Sequence, residues 1–270
     1  MDKGKQIGRR TALTMIGGLV PAHAVASTIG LQDRGAAPSP APRGPVITRS
    51  AAGGFKDALQ LGRALNMPLA DSATVADAYQ RARDESKPWL FNHVARSWFY
   101  GIRLAEANKL KPDAELVAVS VLLHDLGLAR GAEPDRRFEV VGADLGREFA
   151  VAHQMGDRRA ETVWDSIAFH TTSSIARFKG VDVTCCSLGI GCDFGGRGAQ
   201  LLTDDDKAKI LSAYPRLQMK REMTACLAGI ARDRPETARD NFVGEFGKRY
   251  VPGFVPISYV DGLQNAPFAE

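Results

Sequence analysis

Three observations predict that this chain folds as an all-α, compact helical bundle. Apolar residues recur at spacings of three and four, as at Val163, Trp164 and Ile167. Residues with cap-forming side chains precede several of these runs. Alternation of apolar and polar residues, which is typical of strands, never continues for more than a few positions. We therefore expect helices packed around one core, without a sheet.

The N-terminal segment, residues 1–26, has the composition of an export signal. Its basic residues are Lys3, Lys5, Arg9 and Arg10. An apolar run over 12–20 follows, too short to span a bilayer, and then small-x-small tripeptides that suit cleavage. Arg9-Arg10 resembles a twin-arginine signal, and a basic N-terminus without a targeting role is the alternative. The signal predicts a periplasmic or otherwise exported protein.

Residues 27–60 are predicted to be a flexible linker. Four prolines lie close together between Pro38 and Pro45, among Ala, Gly and Ser residues that could not bury a core. The remaining residues, 61–270, contain no repeat and no second linker. They are expected to form a single helical domain.

The helices of this domain are predicted from their caps and periodicity. Asp71 or Ser72 is expected to cap the first helix, and Asn92 the next. Pro112 suits the first position of a third helix that ends near His124. Further helices are predicted at 138–153, 157–171, 207–214, 217–231 and 236–250. Thr203 opens a capping box for the third of these five.

The distribution of charge and cysteine narrows the class of protein. Of the net charge of +4, the segment 1–26 carries +3, so the body is nearly neutral. This argues against a nucleic-acid partner, and no apolar run is long enough for a stable membrane span. The four cysteines form no metal-binding or redox motif and are expected to be buried thiols, with a bridge at Cys192 as the alternative.

His124 and Asp125 follow the uninterrupted apolar run 116–123, which should form a central helix. Two ionisable side chains are costly there unless something pairs with them, and a metal ion accepts neutral imidazole and carboxylate together. Both can reach one ion only near a helix end, and Gly127 is the expected stop. His93 precedes the pair, and Asp193 follows it in a glycine-rich segment, where glycines allow close backbone approach and unusual dihedrals.

These residues resemble those of the HD-domain metalloprotein superfamily. The likeness lies in Asn92-His93, in the run 122–127 and in the run 191–195. It implies an all-α fold and one divalent transition metal, held by His93, His124, Asp125 and Asp193. Zinc, iron, manganese and nickel all suit such mixed ligands. The runs 137–143, 163–171 and 265–268 further resemble the cyanamide-hydratase-like branch.

Two positions depart from other branches of that superfamily. Where many phosphohydrolases carry a lysine that meets phosphate, this chain has Leu128. Where two-metal members carry an extra histidine, it has Phe138, which favours a single ion. His153 could replace that histidine but is expected on a helix surface.

The predicted function is that of a metal-dependent hydrolase or hydratase acting on a small molecule, with water attacking a nitrile-like or amide-like carbon. Asp125 would be ligand and proton acceptor, and His170 or Glu139 would return the proton. A core position for His170 and a salt bridge from Glu139 to Arg136 or Arg137 are the alternatives. Phe138, Arg137 and Arg197 are candidate substrate contacts, with Arg177 a further cation. Phosphohydrolysis and an exported metal-binding protein without activity are the rival functions.

Overall fold

The structure is a computed structural model that describes residues 53–131 and 133–268. Within these ranges the regular secondary structure is helical, with one isolated bridge between Glu133 and Arg136. The all-α prediction is confirmed. The proposed signal, most of the predicted linker and its four prolines lie outside the described residues. In the described part of the chain, no helix combines the length and hydrophobicity that crossing a membrane requires.

The helices follow one another along the chain with short connections. They are α1 Phe55–Ala64, α2 Ala73–Glu85, α3 Pro88–Ala107, α4 Ala114–Leu123, α5 Leu126–Arg130, α6 Phe138–Ala152, α7 Asp157–Ala168, α8 Ser173–Ala176, α9 Val181–Gly195, α10 Asp204–Ala213, α11 Met219–Asp233, α12 Val243–Tyr250 and α13 Tyr259–Gln264. Helix α1 begins at Phe55, within the last residues of the predicted linker 27–60. The ring of Phe55 stacks on Trp98 and anchors α1 to the core.

Helix α4 lies at the centre of the bundle. Every residue from Leu116 to Leu123 is buried, and α4 contacts α2, α3, α6, α7 and α9. An apolar sequence on all sides of a helix is stable only when other helices cover every face. The prediction of a central helix is confirmed, although α4 begins after the predicted Pro112, with Asp113 as its N-cap.

The caps were predicted with mixed success. Ser72 caps α2, and Thr203 forms a capping box with Asp206 at the start of α10, as expected. Asn92 does not cap a helix. It lies inside α3, which begins at Pro88, and its side-chain amide donates to the carbonyl of Pro215. A proline at the first position gave α3 its start instead.

The glycine-rich segment forms a helix, which the sequence analysis did not predict. Helix α9 continues to Gly195, and positive φ angles begin only at Gly196. The glycines serve close packing, because a Cβ at Gly189 would stand 2.2 Å from the carbonyl oxygen of Ser97 on α3. This close crossing of α3 and α9 brings His93 next to Asp193.

Helices α11 and α12 form a second apolar cluster, beside the main cluster that surrounds α4. Its buried members include Met223 and Leu227 of α11, Val243 of α12, and Leu128 and Phe138 from the central bundle. The two clusters meet around the residues that the sequence analysis assigned to a metal.

Candidate metal centre

His124 and Asp125 occupy a break between two helices. Helix α4 ends at Leu123 and α5 begins at Leu126, and Asp125 departs from helical geometry with φ −101° and ψ 15°. The break turns both side chains to the same side, as the sequence analysis required. Gly127 does not end a helix, since it lies within α5. A Cβ there would meet the carbonyl oxygen of Phe138 at 2.0 Å, so glycine is needed for packing on α6.

Three histidines direct their Nε2 atoms at the carboxylate of Asp125. The distances to its oxygens are 3.2 Å from His124, 3.6 Å from His93 and 3.9 Å from His170. All four residues are buried. The structure therefore brings together three of the four predicted ligands, and it adds His170 beside them.

Hydrogen bonds at Nδ1 fix the tautomers of two of these rings. Nδ1 of His124 donates to the carbonyl of Val121 at 2.7 Å, and Nδ1 of His170 donates to that of Ile167 at 2.6 Å. A carbonyl only accepts, so each Nδ1 carries a hydrogen. In the neutral rings, both Nε2 atoms keep a free lone pair toward Asp125.

Asp193 lies behind His93 instead of beside Asp125. Its Oδ2 accepts from Nδ1 of His93 at 2.7 Å, and both oxygens accept from the guanidinium of Arg96 at 2.8 Å. Arg216 adds a bond to Oδ1 at 3.2 Å. Burial alone would raise the pKa of Asp193, but the bonds from His93 and Arg96 hold it well below its usual range. Asp193 is thus an ionised acceptor, and His93 donates to it.

The predicted ligand role of Asp193 does not match this arrangement. Its oxygens are engaged by two arginines and by the far side of the His93 ring. A carboxylate that accepts from the second nitrogen of a ligand histidine orients that ring and raises its basicity. The residues that could share one ion, among those that the structure describes, are His93, His124 and Asp125, with donor atoms within 4.8 Å of one another.

The donor set fits a divalent transition metal. Nε2 of His124 and Oδ2 of Asp125 are buried and have no hydrogen-bond partner among the described residues. Unsatisfied buried acceptors are costly, and a cation would satisfy both at once. Imidazole nitrogen with carboxylate oxygen suits zinc and its neighbours in the first transition row. Nε2 of His170 could supply a further donor, because its ring centroid lies 4.8 Å from that of His124.

The charges of the site follow from burial and proximity. Burial would raise the pKa of Asp125, but His124 and His93 lower it below its ordinary range. Burial would lower the pKa of His124, but the Asp125 carboxylate outweighs it and raises that pKa. Burial and the neighbouring His124 lower the pKa of His170 to about 4. His170 is therefore a neutral base at pH 7.

A cavity of roughly 330 Å³ opens from these donors. Apolar side chains form most of its wall: Leu128, Phe138, Ile190, Phe194, Met223, Leu227 and Phe242. Thr171, Ser173 and Arg197 add polar groups. Two predicted substrate contacts, Phe138 and Arg197, thus line the cavity.

Glu139 and Arg137 hold each other outside the cavity wall. Nη2 of Arg137 donates to Oε1 of Glu139 at 2.7 Å, which is one of the salt bridges the sequence analysis kept open. Thr171 also donates to Oε1 at 2.8 Å. Glu139 is buried but forms no hydrogen bond with a histidine among the described residues, so the predicted proton transfer by Glu139 has no contact to support it.

The remaining candidates lie away from the donors. His153 stacks on Phe149 and contacts Asp77 at 3.2 Å, on the helix surface as expected. The guanidinium of Arg177 lies over the ring of Phe178 and does not line the cavity. The four cysteines are free thiols, so no bridge forms at Cys192.

The sequence analysis missed Arg96, Arg216 and the cavity residues of the C-terminal helices. Arg96 had a readable signal, because it follows His93 by three residues and shares its helix face. Met223, Leu227 and Phe242 carried none, since apolar residues on an amphipathic helix indicate a core contact equally well.

Residues 90–220 match the family model of the HD domain. The match contains His93, His124 and His170 of the site, together with Asp125 and Asp193. It supports assignment of this region to the HD-domain superfamily. The fold and the donor set thus indicate a metal-dependent hydrolase in general. No curated protein matches the chain significantly.

Proposed function

We propose that the protein adds water to a nitrile-like or amide-like carbon of a small molecule, in a reaction that depends on one divalent metal. The observation that supports this most is the convergence of His93, His124 and Asp125 beside an apolar cavity, where Nε2 of His124 and Oδ2 of Asp125 have no hydrogen-bond partner among the described residues. When bound, the ion would acidify water and so supply a nucleophile near neutral pH.

Asp125 and His170 would then accept and transfer the protons of the reaction. Asp125 is ionised, and its Oδ1 lies on the side of Nε2 of His170. His170 is neutral and accepts at Nε2, so it can take a proton from water and deliver it to the nitrogen of the substrate. With a nitrile, the water oxygen bonds to the carbon, a C–N π bond breaks and both water protons move to nitrogen, which gives an amide. With an amide, the water oxygen bonds to the carbon, the C–N single bond breaks and the protonated nitrogen leaves as ammonia or an amine, which gives an acid.

The cavity wall favours carbon over phosphorus as the centre attacked. Leu128 is buried in the wall and offers nothing to a phosphate. Arg197 is the one lining residue, among those described, with a permanent positive charge. Phosphate chemistry relies on several cations that stabilise the transferred group.

A substrate panel tests the proposal. Full-length protein as purified would be assayed against nitriles, amides, nucleotides and phosphoesters, before and after chelation and metal return. We expect the protein to convert nitriles to amides or acids, and amides to acids. Chelation and Asp125→Asn should abolish this activity, and His153→Ala should keep it. Release of phosphate alone would overturn the proposal, as would inactivity toward the entire panel in metal-loaded protein.

We also propose that the reaction takes place outside the cytoplasm, because of the twin-arginine-like segment in residues 1–26. N-terminal sequencing of the protein from its native source tests this. We expect a mature N-terminus near residue 25 or 27, and an intact Met1 or Asp2 would contradict it.

A further inference from the structure

Part of the apolar wall of the cavity comes from residues that follow the HD match. Met223 and Leu227 of α11 and Phe242 before α12 all line it, yet they lie beyond residue 220. The donors come from inside the match. The segment after the match therefore completes an apolar wall that Phe138 and Phe194 begin inside it.

Aromatic rings form a continuous wall from the donors to the surface. The ring of Phe138 lies 5.7 Å from that of His170 and 6.2 Å from that of Phe242. Phe242 in turn lies 6.2 Å from Phe194, whose side chain is 44% exposed. Such edge-to-face chains present large apolar faces to a ligand.

The polar residues among the described lining of the cavity are few: the donors, Thr171, Ser173 and Arg197. Arg197 is an exposed residue, and its Nη2 already donates to the carbonyl of Ser187 at 2.7 Å and to its hydroxyl at 3.3 Å. A charged group of a ligand would find no partner on the apolar side chains of the wall, and burying it against them would be unfavourable.

The cavity is also larger than a nitrile or amide group requires. An apolar cavity of about 150 Å³ already accepts benzene. The cavity here is roughly 330 Å³, so there is room for an aryl or branched alkyl group beside the reacting carbon.

We infer that the substrate carries an uncharged apolar group, aryl or alkyl, that packs against Phe138, Phe242, Met223 and Leu227. This inference rests on the proposed function and adds the class of substrate to it. Each methylene group that this wall removes from water should increase binding affinity about fourfold.

A size series of nitriles tests the inference. Metal-loaded full-length protein would be assayed with propionitrile, pentanenitrile and benzonitrile. We expect kcat/KM to rise about 15-fold over the two added methylene groups, and benzonitrile to equal or exceed pentanenitrile. Equal kcat/KM for all three nitriles would overturn the inference while leaving the proposed function intact.

Substitutions at Met223 give opposite changes that misfolding cannot imitate. Met223→Phe narrows the cavity and should lower the turnover of benzonitrile and of pentanenitrile, each as a ratio to that of propionitrile. Met223→Ala widens the cavity and should raise both ratios. Arg221→Ala, on the exposed side of the same helix, should change neither ratio. Equal ratios in all variants would overturn the inference.

A binding measurement separates this inference from the reaction itself. Calorimetry with benzamide and acetamide, on metal-loaded protein, needs no turnover. Tighter binding of benzamide than of acetamide, weakened by Met223→Phe, supports the apolar site. It does so even if no nitrile is hydrated, and that failure would count against the proposed function alone. Equal or absent binding of the two amides would overturn the inference.

Discussion

Nδ1 of His93 donates to Oδ2 of Asp193 across 2.7 Å, and this bond leaves Nε2 of His93 facing Asp125 at 3.6 Å. Arg96 holds the Asp193 carboxylate in place with two further bonds. Asp193 therefore acts on the candidate metal site through the His93 ring, by fixing its tautomer and its orientation.

Asp193→Asn should weaken metal binding without removing a ligand. Loss of an orienting carboxylate typically lowers metal affinity by about 10- to 100-fold. Chelator competition would measure the affinity, with Asp206→Asn as a control that also breaks an arginine pair but lies in α10, outside the donor set. Cobalt-loaded Asp193→Asn should keep the coordination number of the wild type in X-ray absorption. One fewer oxygen ligand in the variant would show instead that Asp193 binds the ion directly.

Gly189→Ala should destabilise the fold, because its Cβ would collide with the α3 backbone at Ser97. We expect a loss of at least about 2 kcal/mol in the free energy of unfolding. Gly195→Ala on the same helix is the matched control, since nothing lies within 4 Å of its Cβ. Denaturant titration of both variants makes the comparison, and similar midpoints would refute the close α3–α9 contact.

The Arg103–Asp206 pair should give the fold a pH-dependent contribution. Burial would raise the pKa of Asp206, but Arg103 donates to both of its oxygens, at 3.0 and 2.8 Å, and the net pKa is lowered. A lowered pKa stabilises the folded state above the unfolded value of about 4, and the contribution disappears as the pH falls below it. Asp206→Asn should therefore cost roughly 1–2 kcal/mol at pH 7 and much less near pH 2. A pH-independent difference in unfolding free energy would contradict this.

Local patterns predicted the helices and the centre of the site, but contacts distant in sequence decided the rest. His124-Asp125 was recognisable because ionisable residues are costly after a buried helix. Helix α9 was not predicted because its glycines favour no helix, and the reason for Gly189 lies in α3. The position of Asp193 behind His93 depends on Arg96 and Arg216, whose pairing no local spacing specifies. The contribution of α11 and Phe242 to the apolar wall could likewise be recognised only from the folded structure.

The metal content of purified protein tests the central claim most directly. Elemental analysis would compare the wild type with His124→Ala and Asp125→Ala, and with His153→Ala as a histidine variant outside the donor set. We expect about one divalent transition-metal ion per chain in the wild type and in His153→Ala, and little in the other two. Unchanged metal content in His124→Ala and Asp125→Ala, or no metal uptake by the wild type, would contradict the assignment of the site.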